Sequence, residues 1–319
     1  MLIVKSPFRM SLFGGSTDYE DFYKNHGSFI IGTTIDKYAY LTGRTKPSIL
    51  PRENHISYSK TEVAKRISDI ENPLIRETLK FYDIDCCIDF KCFSDIPFRT
   101  GLGGSSTFCV GLAYIANKLN NNKIDRKRLA QDAIHIERVV LKESGGIQDQ
   151  IWASYGGFNT IEIGRHGDFT VKPLAISREF KKELEDSFVL IYTDQQREED
   201  AIAKSHENVD KRDILDLAHD AHDAFLSEDI AGIGEYLYTS WKLKSKISNL
   251  ISTERIDDII TDVMDMGAYG AKLLGGGGCG FIAAMCSPDV KKTVIAKYKG
   301  AVMEIKFDND GVSEIYNGI

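Results

Sequence analysis

The chain reads as a mixed helix-and-strand protein built in two parts, and three observations carry that reading. Residues 2–174 alternate strand-like and helical runs around two polar, glycine-rich loops at 14–19 and 101–106. Residues 197–266 have nearly unbroken helical spacing, enough for four helices. Two core-like apolar runs, 271–274 and 281–285, then enclose a third glycine cluster. A boundary near residue 185, after the charged run 178–185, divides the chain into expected domains of 1–185 and 186–319.

The bulk properties narrow the class. A chain of 319 residues can bury two cores, and 42% hydrophobic with 27% charged residues is the balance of a soluble globular protein. A formal net charge of −7 argues against nucleic acid as a partner. No apolar run approaches the ~20 residues of a membrane span, and the first residues show no apolar stretch behind a basic start. Cys86, Cys87, Cys92, Cys109, Cys279 and Cys286 lack metal-ligand spacing. They read as small core hydrophobes in a reducing cytoplasm.

In order, residues 2–13 are extended and apolar, and a short helical piece follows at 20–25. A β-rich run covers 28–42. Residues 61–82 have helical spacing, interrupted by Pro73. Ile88, Phe90 and Cys92 alternate with polar neighbours, so a half-buried strand leads into the loop at 96–107. A helix from Ser105 to 119 and a second, capped by Asp125 and running to about 141, come next. Residues 158–163 and 170–174 form a hairpin, and 188–192 is a buried strand. Ser287-Pro288 opens a helix, and strands at 302–307 and 312–316 close the chain.

The loop Gly101-Leu102-Gly103-Gly104-Ser105-Ser106 stands between a strand and a helix start. Unpaired N–H groups and the helix dipole favour an anion there, and the glycines let backbone approach it. No Lys follows, so this is not a Walker loop, and it lacks the Rossmann glycine spacing. Arg9 sits mid-strand in an apolar context, where a guanidinium needs an anion nearby. Asp149 follows a glycine break at Gly145-Gly146, which sets a carboxylate in a cleft. Gly275, Gly277 and Gly280 have dinucleotide spacing, but a strand follows them instead of a helix.

Three of these stretches carry a family resemblance. Pro97-Phe98-Arg99-Thr100-Gly101-Leu102-Gly103-Gly104-Ser105-Ser106 resembles the phosphate loop of the kinases that group galactokinase, homoserine kinase, mevalonate kinase and phosphomevalonate kinase (the GHMP kinases). Pro7-Phe8-Arg9 leading to Gly14-Gly15-Ser16-Thr17-Asp18-Tyr19 is similar to their first motif, and 272–280 to their third. Gly104 stands at a loop serine of the family, Gly276 at its usual Ala and Cys279 at its usual Gly. The forms Gly-Gly-x-Thr-Asp and Gln148-Asp149-Gln150 resemble the heptose 7-phosphate kinase branch.

The resemblance implies an α+β fold with an S5-like amino-terminal and a ferredoxin-like carboxy-terminal domain. It implies transfer of the γ-phosphoryl group of ATP to a sugar hydroxyl, with Asp149 and Arg9 catalytic. Gly101, Leu102, Gly103, Gly104, Ser105 and Ser106 would bind ATP, and Ser105 with Glu137 would hold Mg²⁺. Ser16, Thr17, Asp18, Gly276 and Gly277 would meet the substrate, with Arg197 or Lys272 on a remote phosphate. The implied acceptor is a heptose 7-phosphate; an unphosphorylated sugar of the fucose or arabinose type is the alternative. A sugar-binding regulator of the same fold is a third reading. The family's Thr-Gly-x-x-Arg-x-Ser run reads here as Thr193-Asp194-Gln195-Gln196-Arg197-Glu198-Glu199, an acidic departure beside a sugar phosphate.

Overall fold

The computed structural model describes residues 1–84, 87–195 and 199–318. The first half runs β1 (Leu2–Phe13), α1 (Glu20–His26), β2 (Ser28–Thr45), β3 (Asn54–Ser57), β4 (Thr61–Ala64), α2 (Pro73–Phe81), β5 (Ile88–Ser94) and α3 (Gly104–Leu119). It continues through α4 (Arg126–Ile134), α5 (Gln148–Tyr155), β6 (Phe158–Ile163), β7 (Phe169–Pro173) and α6 (Arg178–Ser187). The second half has β8 (Phe188–Tyr192), α7 (Glu199–Ser205), α8 (Arg212–Leu226), α9 (Ile230–Ser245) and α10 (Glu254–Asp265). Then come β9 (Gly270–Leu273), β10 (Phe281–Met285), α11 (Pro288–Lys297), β11 (Val302–Met303), β12 (Phe307–Asp308) and β13 (Ser313–Asn317). The α+β class expected from the sequence holds.

The strands form a nine-stranded and a four-stranded sheet. In the larger, the 18-residue β2 pairs along one edge with β1. Its other edge is shared by β6 against 28–33, β12 against 34–35 and β5 against 39–45. The smaller sheet has the order β11-β8-β10-β9. Phe8, Met10 and Leu12 of β1 pack in one apolar cluster with Phe188, Leu190, Phe281 and Ala283 of the smaller sheet, so a continuous core joins the two. A second cluster sets α2 and α3 against β1, β2 and β5. Among the described residues no helix is long and apolar enough to cross a membrane.

Three expectations are corrected. Residues 61–82 are not one interrupted helix: Thr61–Ala64 is a strand paired with Asn54–Ser57. Its inward positions are Glu62 and Ala64 while Val63 faces out, inverting the usual pattern. Glu62 is tolerated inside because its carboxylate accepts the N–H groups of Glu71 and Asn72. Pro73 opens α2 at a position where its missing N–H has no cost, with the Asn72 side chain capping Ile75 N–H. Residues 302–307 are not one strand either, because β11 joins the smaller sheet and β12 the larger. The helix begun by Asp125 widens into a π-helical turn over His135–Val140 before it ends.

Helix α9 lies against β9 at a distance only glycines permit. A Cβ on Gly270 would sit 1.9 Å from the Gly234 carbonyl oxygen. Gly270→Ala should therefore force helix and strand apart and cost about 1–3 kcal/mol. A urea midpoint equal to the wild type's would show that this approach is slack.

Candidate active site

The glycine loop before α3 is shaped by backbone. Gly103 precedes α3 with φ of 78°, and no side chain caps the helix's first turn among the described residues. Those first-turn N–H groups are thus left for a ligand. A Cβ at Gly103 would lie 3.1 Å from Arg9 Cγ and 3.3 Å from Asp149 Oδ2, so glycine is what lets the loop close on the ion pair. At Gly104 a Cβ would lie 2.8 Å from the Phe98 ring, which accounts for glycine at the family's serine position.

Arg9 spends its whole fork in this region. Nε donates to Asp149 Oδ1 at 2.7 Å and Nη2 to Asp149 Oδ2 at 2.8 Å. Nη1 donates to the Gly101 carbonyl at 2.6 Å, while the Arg9 backbone N–H donates to Leu102 O at 3.0 Å. Leu102 itself is buried in the shared core, so its part is to anchor the loop.

Glu137, buried in the π-helical turn, accepts from Ser105 Oγ at 2.9 Å, Ser106 Oγ at 2.8 Å and Gln150 Nε2 at 2.5 Å. A π turn shifts a side chain off the regular helical face, and such turns gather at functional sites. The set is one carboxylate with two hydroxyls. No group of three or more His, Cys, Asp or Glu side chains gathers to hold a metal among the described residues. That fits Mg²⁺, which binds through one or two protein oxygens and takes the rest from phosphates and water.

On the acceptor side, buried Asp18 accepts from Ser16 N–H at 3.1 Å, Gln148 N–H at 3.0 Å and Gln148 Nε2 at 3.0 Å. Burial raises its pKa, and the Gln148 N–H opposes that rise. Three of its roughly four lone-pair positions are occupied, leaving one for a ligand hydroxyl. A Cβ on Gly146 would lie 1.8 Å from Asp18 Oδ2, so this carboxylate rests directly on backbone. Thr17 is fully buried, its hydroxyl held by Gly14 O and Ser28 Oγ, and it shapes the loop from beneath.

The third glycine loop closes the cavity. A Cβ on Gly275 would be 2.3 Å from Gly101 Cα, and one on Gly280 2.2 Å from Thr100 O. The loop before α3 and the third glycine loop therefore touch backbone to backbone. Gly276 has room for the family's Ala, since its nearest neighbour would be Ile202 at 3.6 Å. Lys272 is buried and donates to Leu12 O and Ser240 Oγ. The resulting cavity of about 200 Å³ is bordered by Arg9, Asp18, Glu137, Asp149, Lys272 and Gly276, among others. Arg197 lies outside the described residues.

Sequence comparison decides the family. The description "GHMP kinases N terminal domain" matches residues 58–157 and "GHMP kinases C terminal" matches 221–303, together more than half of the chain. The chain belongs to the GHMP kinase family. It is similar to the D-glycero-alpha-D-manno-heptose 7-phosphate kinase of Campylobacter jejuni, 29% identical over 97% of each chain. It is also similar to the galactokinase of Pyrococcus furiosus, 26% identical over 92% of this chain and 91% of that one. Among solved structures, a D-glycero-D-manno-heptose 1-phosphate kinase from Bacteriodes thetaiotaomicron superposes with a TM-score of 0.82. Identity there is 26%, covering 99% of this chain and 100% of the other.

Several side chains of this GHMP kinase site escape sequence reasoning. Gln148 and Gln150 flank Asp149 and hold the two other carboxylates, Asp18 and Glu137. Arg138 braces the loop after α4 through Gly146 O and Glu143 O. His206 donates from Nε2 to Gly276 O at 2.7 Å and stacks on Tyr19. For the glutamines a signal existed, since polar residues beside an apolar helix face imply buried partners. For His206 none did, because its partner is distant backbone, and Arg138's partners are carbonyls of an irregular loop that carry no side-chain signal.

Burial, with Lys244 and Lys211 nearby, holds His206 at a pKa of about 4 against an ordinary 6.5. The folded protein then binds fewer protons than the unfolded chain between these values. Stability is complete above about pH 6.5 and declines as pH falls toward 4, by about 3 kcal/mol in all. His206→Gln keeps a donor for Gly276 O and should flatten this part of the profile. Equal acid destabilisation in both proteins, measured by denaturant titration at pH 7 and 4.5, would remove His206 as its source.

Proposed function

We propose that this GHMP kinase transfers the γ-phosphoryl group of ATP to the anomeric hydroxyl of a sugar that already carries a phosphate, a heptose 7-phosphate. The observation that carries the reading is the pairing of two carboxylates across one cavity wall. Asp149 is held in Arg9's fork and Asp18 is buried on Gln148. ATP as donor follows from the family; heptose as acceptor is supported by the likeness to the Campylobacter jejuni enzyme along nearly the whole chain.

Catalysis of phosphoryl transfer is mainly positioning and charge stabilisation. First-turn N–H groups of α3 would cradle phosphate oxygens, and Asp149 would accept the hydrogen bond, then the proton, of the attacking hydroxyl. Arg9 fixes the two carboxylate oxygens of Asp149. Ser105 and Glu137 would hold Mg²⁺, which when bound offsets charge on the phosphates. Ser16, Asp18, Gly276 and Gly277 would border the sugar.

The likeness to a galactokinase makes a neutral sugar the natural comparison. Specificity constants for a heptose 7-phosphate, the same heptose and fucose should differ by more than about tenfold in favour of the phosphate, or 1.4 kcal/mol. Equal or better turnover of the neutral sugars would leave a general sugar kinase.

Glu137→Gln removes the charge that would attract the ion but keeps the shape of the side chain and one acceptor oxygen. Because the amide has a single acceptor oxygen, one of the two serine hydroxyls must turn to accept from its NH2 instead. The change should raise the Mg²⁺ requirement and lower kcat while leaving sugar affinity within about twofold. Calorimetry showing unaltered metal–nucleotide affinity, together with unaltered kcat, would exclude Glu137 as a ligand.

A further inference from the structure

Two lysines border the same cavity: Lys272, which the sequence offers for a remote phosphate, and Lys244, which has no part in the chemistry above. Lys272 is 4% exposed and Lys244 6%. Lys272 Nζ donates to Leu12 O at 2.6 Å and Ser240 Oγ at 2.9 Å, and Lys244 Nζ to Leu273 O at 3.0 Å and to Gly275 O. All four partners are neutral oxygens, and an ammonium has three N–H groups, so each lysine keeps one donor in reserve. Ser240 and Lys244 stand four residues apart on α9, which places both on its face toward β9.

The surroundings of this pair are cationic. Arg9 on β1 acts on both lysines and Lys272 on β9 acts on Lys244, while His206 beyond α7, which faces Lys244, is neutral above about pH 6.5 and adds no charge there. The carboxylate of Asp149 is engaged by the Arg9 fork. Burial and then this like charge hold Lys272 down at about 7 and Lys244 well below the usual lysine value. A cluster of this kind relieves its repulsion by giving up protons and takes them back when an anion enters. A pure clamp on backbone carbonyls would be served by a neutral amide at lower desolvation cost.

We propose that Lys244 and Lys272 form a phosphoryl-binding subsite in the cavity wall, for either the acceptor's own phosphate or the phosphoryl group in transfer. The acceptor arm rests on the phosphorylated-sugar reading above; the nucleotide arm does not. The lysine amines bind the dianion in their charged form, so occupation draws protons from solvent.

Titration calorimetry at pH 8, in phosphate-free buffers of low and high ionisation enthalpy, tests this with the intact protein. A phosphate monoester is already dianionic at that pH, its second pKa being about 6. Heptose 7-phosphate, Mg²⁺ with ADP, and Mg²⁺ with a non-hydrolysable ATP analogue are compared. Uptake of one to two protons with the sugar phosphate assigns the pair to the acceptor. Uptake with the ATP analogue but not with ADP assigns it to the transferred group. Lys272→Met and Lys244→Gln, the latter keeping a donor for Gly275 O, should lower the uptake and weaken the same ligand at least tenfold. Should Lys272→Met fail to fold, the wild-type buffer comparison and Lys244→Gln still decide. If heptose 7-phosphate does not bind, the acceptor reading falls and the nucleotide arm alone judges the subsite. Buffer-independent heats with every ligand that binds, or uptake unchanged in the variants, would overturn the proposal.

Discussion

The guanidinium of Arg9 is the constraint around which the site is arranged. It lies almost wholly out of water, so its N–H groups need partners, and the partners come from two other parts of the chain. Asp149 begins α5, Gly101 belongs to the loop before α3, and Leu102 O fixes the Arg9 backbone itself. A buried charge left unpaired is destabilising by several kcal/mol. The pair therefore binds strand, loop and helix into one register, and that register puts a carboxylate at the mouth of a phosphate-shaped loop.

The glycines extend the same constraint across the joint between the sheets. Gly101, Gly275 and Gly280 have positive φ and touch backbone to backbone, and a side chain on any of them would collide with main chain. Few groups of the molecule stand this close across so large a sequence separation. The apolar cluster shared by β1, β8 and β10 supplies the adhesion, while the glycines set the spacing. The cavity is thus a product of the interface between the halves.

Much of this was legible in the residues. The glycine loop at the start of α3, the buried Arg9 and the cleft position of Asp149 follow from local chemistry: glycines before a helix, a charge within an apolar strand, a carboxylate after a glycine break. The failures have a common physical cause, which is a partner remote in sequence. Glu62 faces inward because Glu71 and Asn72 offer N–H groups, and that defeats an apolar-periodicity argument. Residues 302–307 divide because each sheet has an edge to fill, which no window of a few residues reveals. Lys244 resembles any helix lysine until its carbonyl partners in the third loop are seen.

Strand β2 carries a consequence for how the chain is made. Its middle, at Thr34 and Ile35, is paired by Phe307 and Asp308, and the edge of β1 is covered by β13. The larger sheet therefore cannot be completed until residues 307–317 have been synthesised. Long-range pairing of this sort slows folding and leaves strand edges open in the meantime. During translation the emerging amino-terminal half presents bare hydrogen-bonding edges on β1 and β2 to whatever meets them, including other nascent copies. Residues 307–317, none of which borders the cavity, close the edges of β1 and β2 that would otherwise stay open to such pairing.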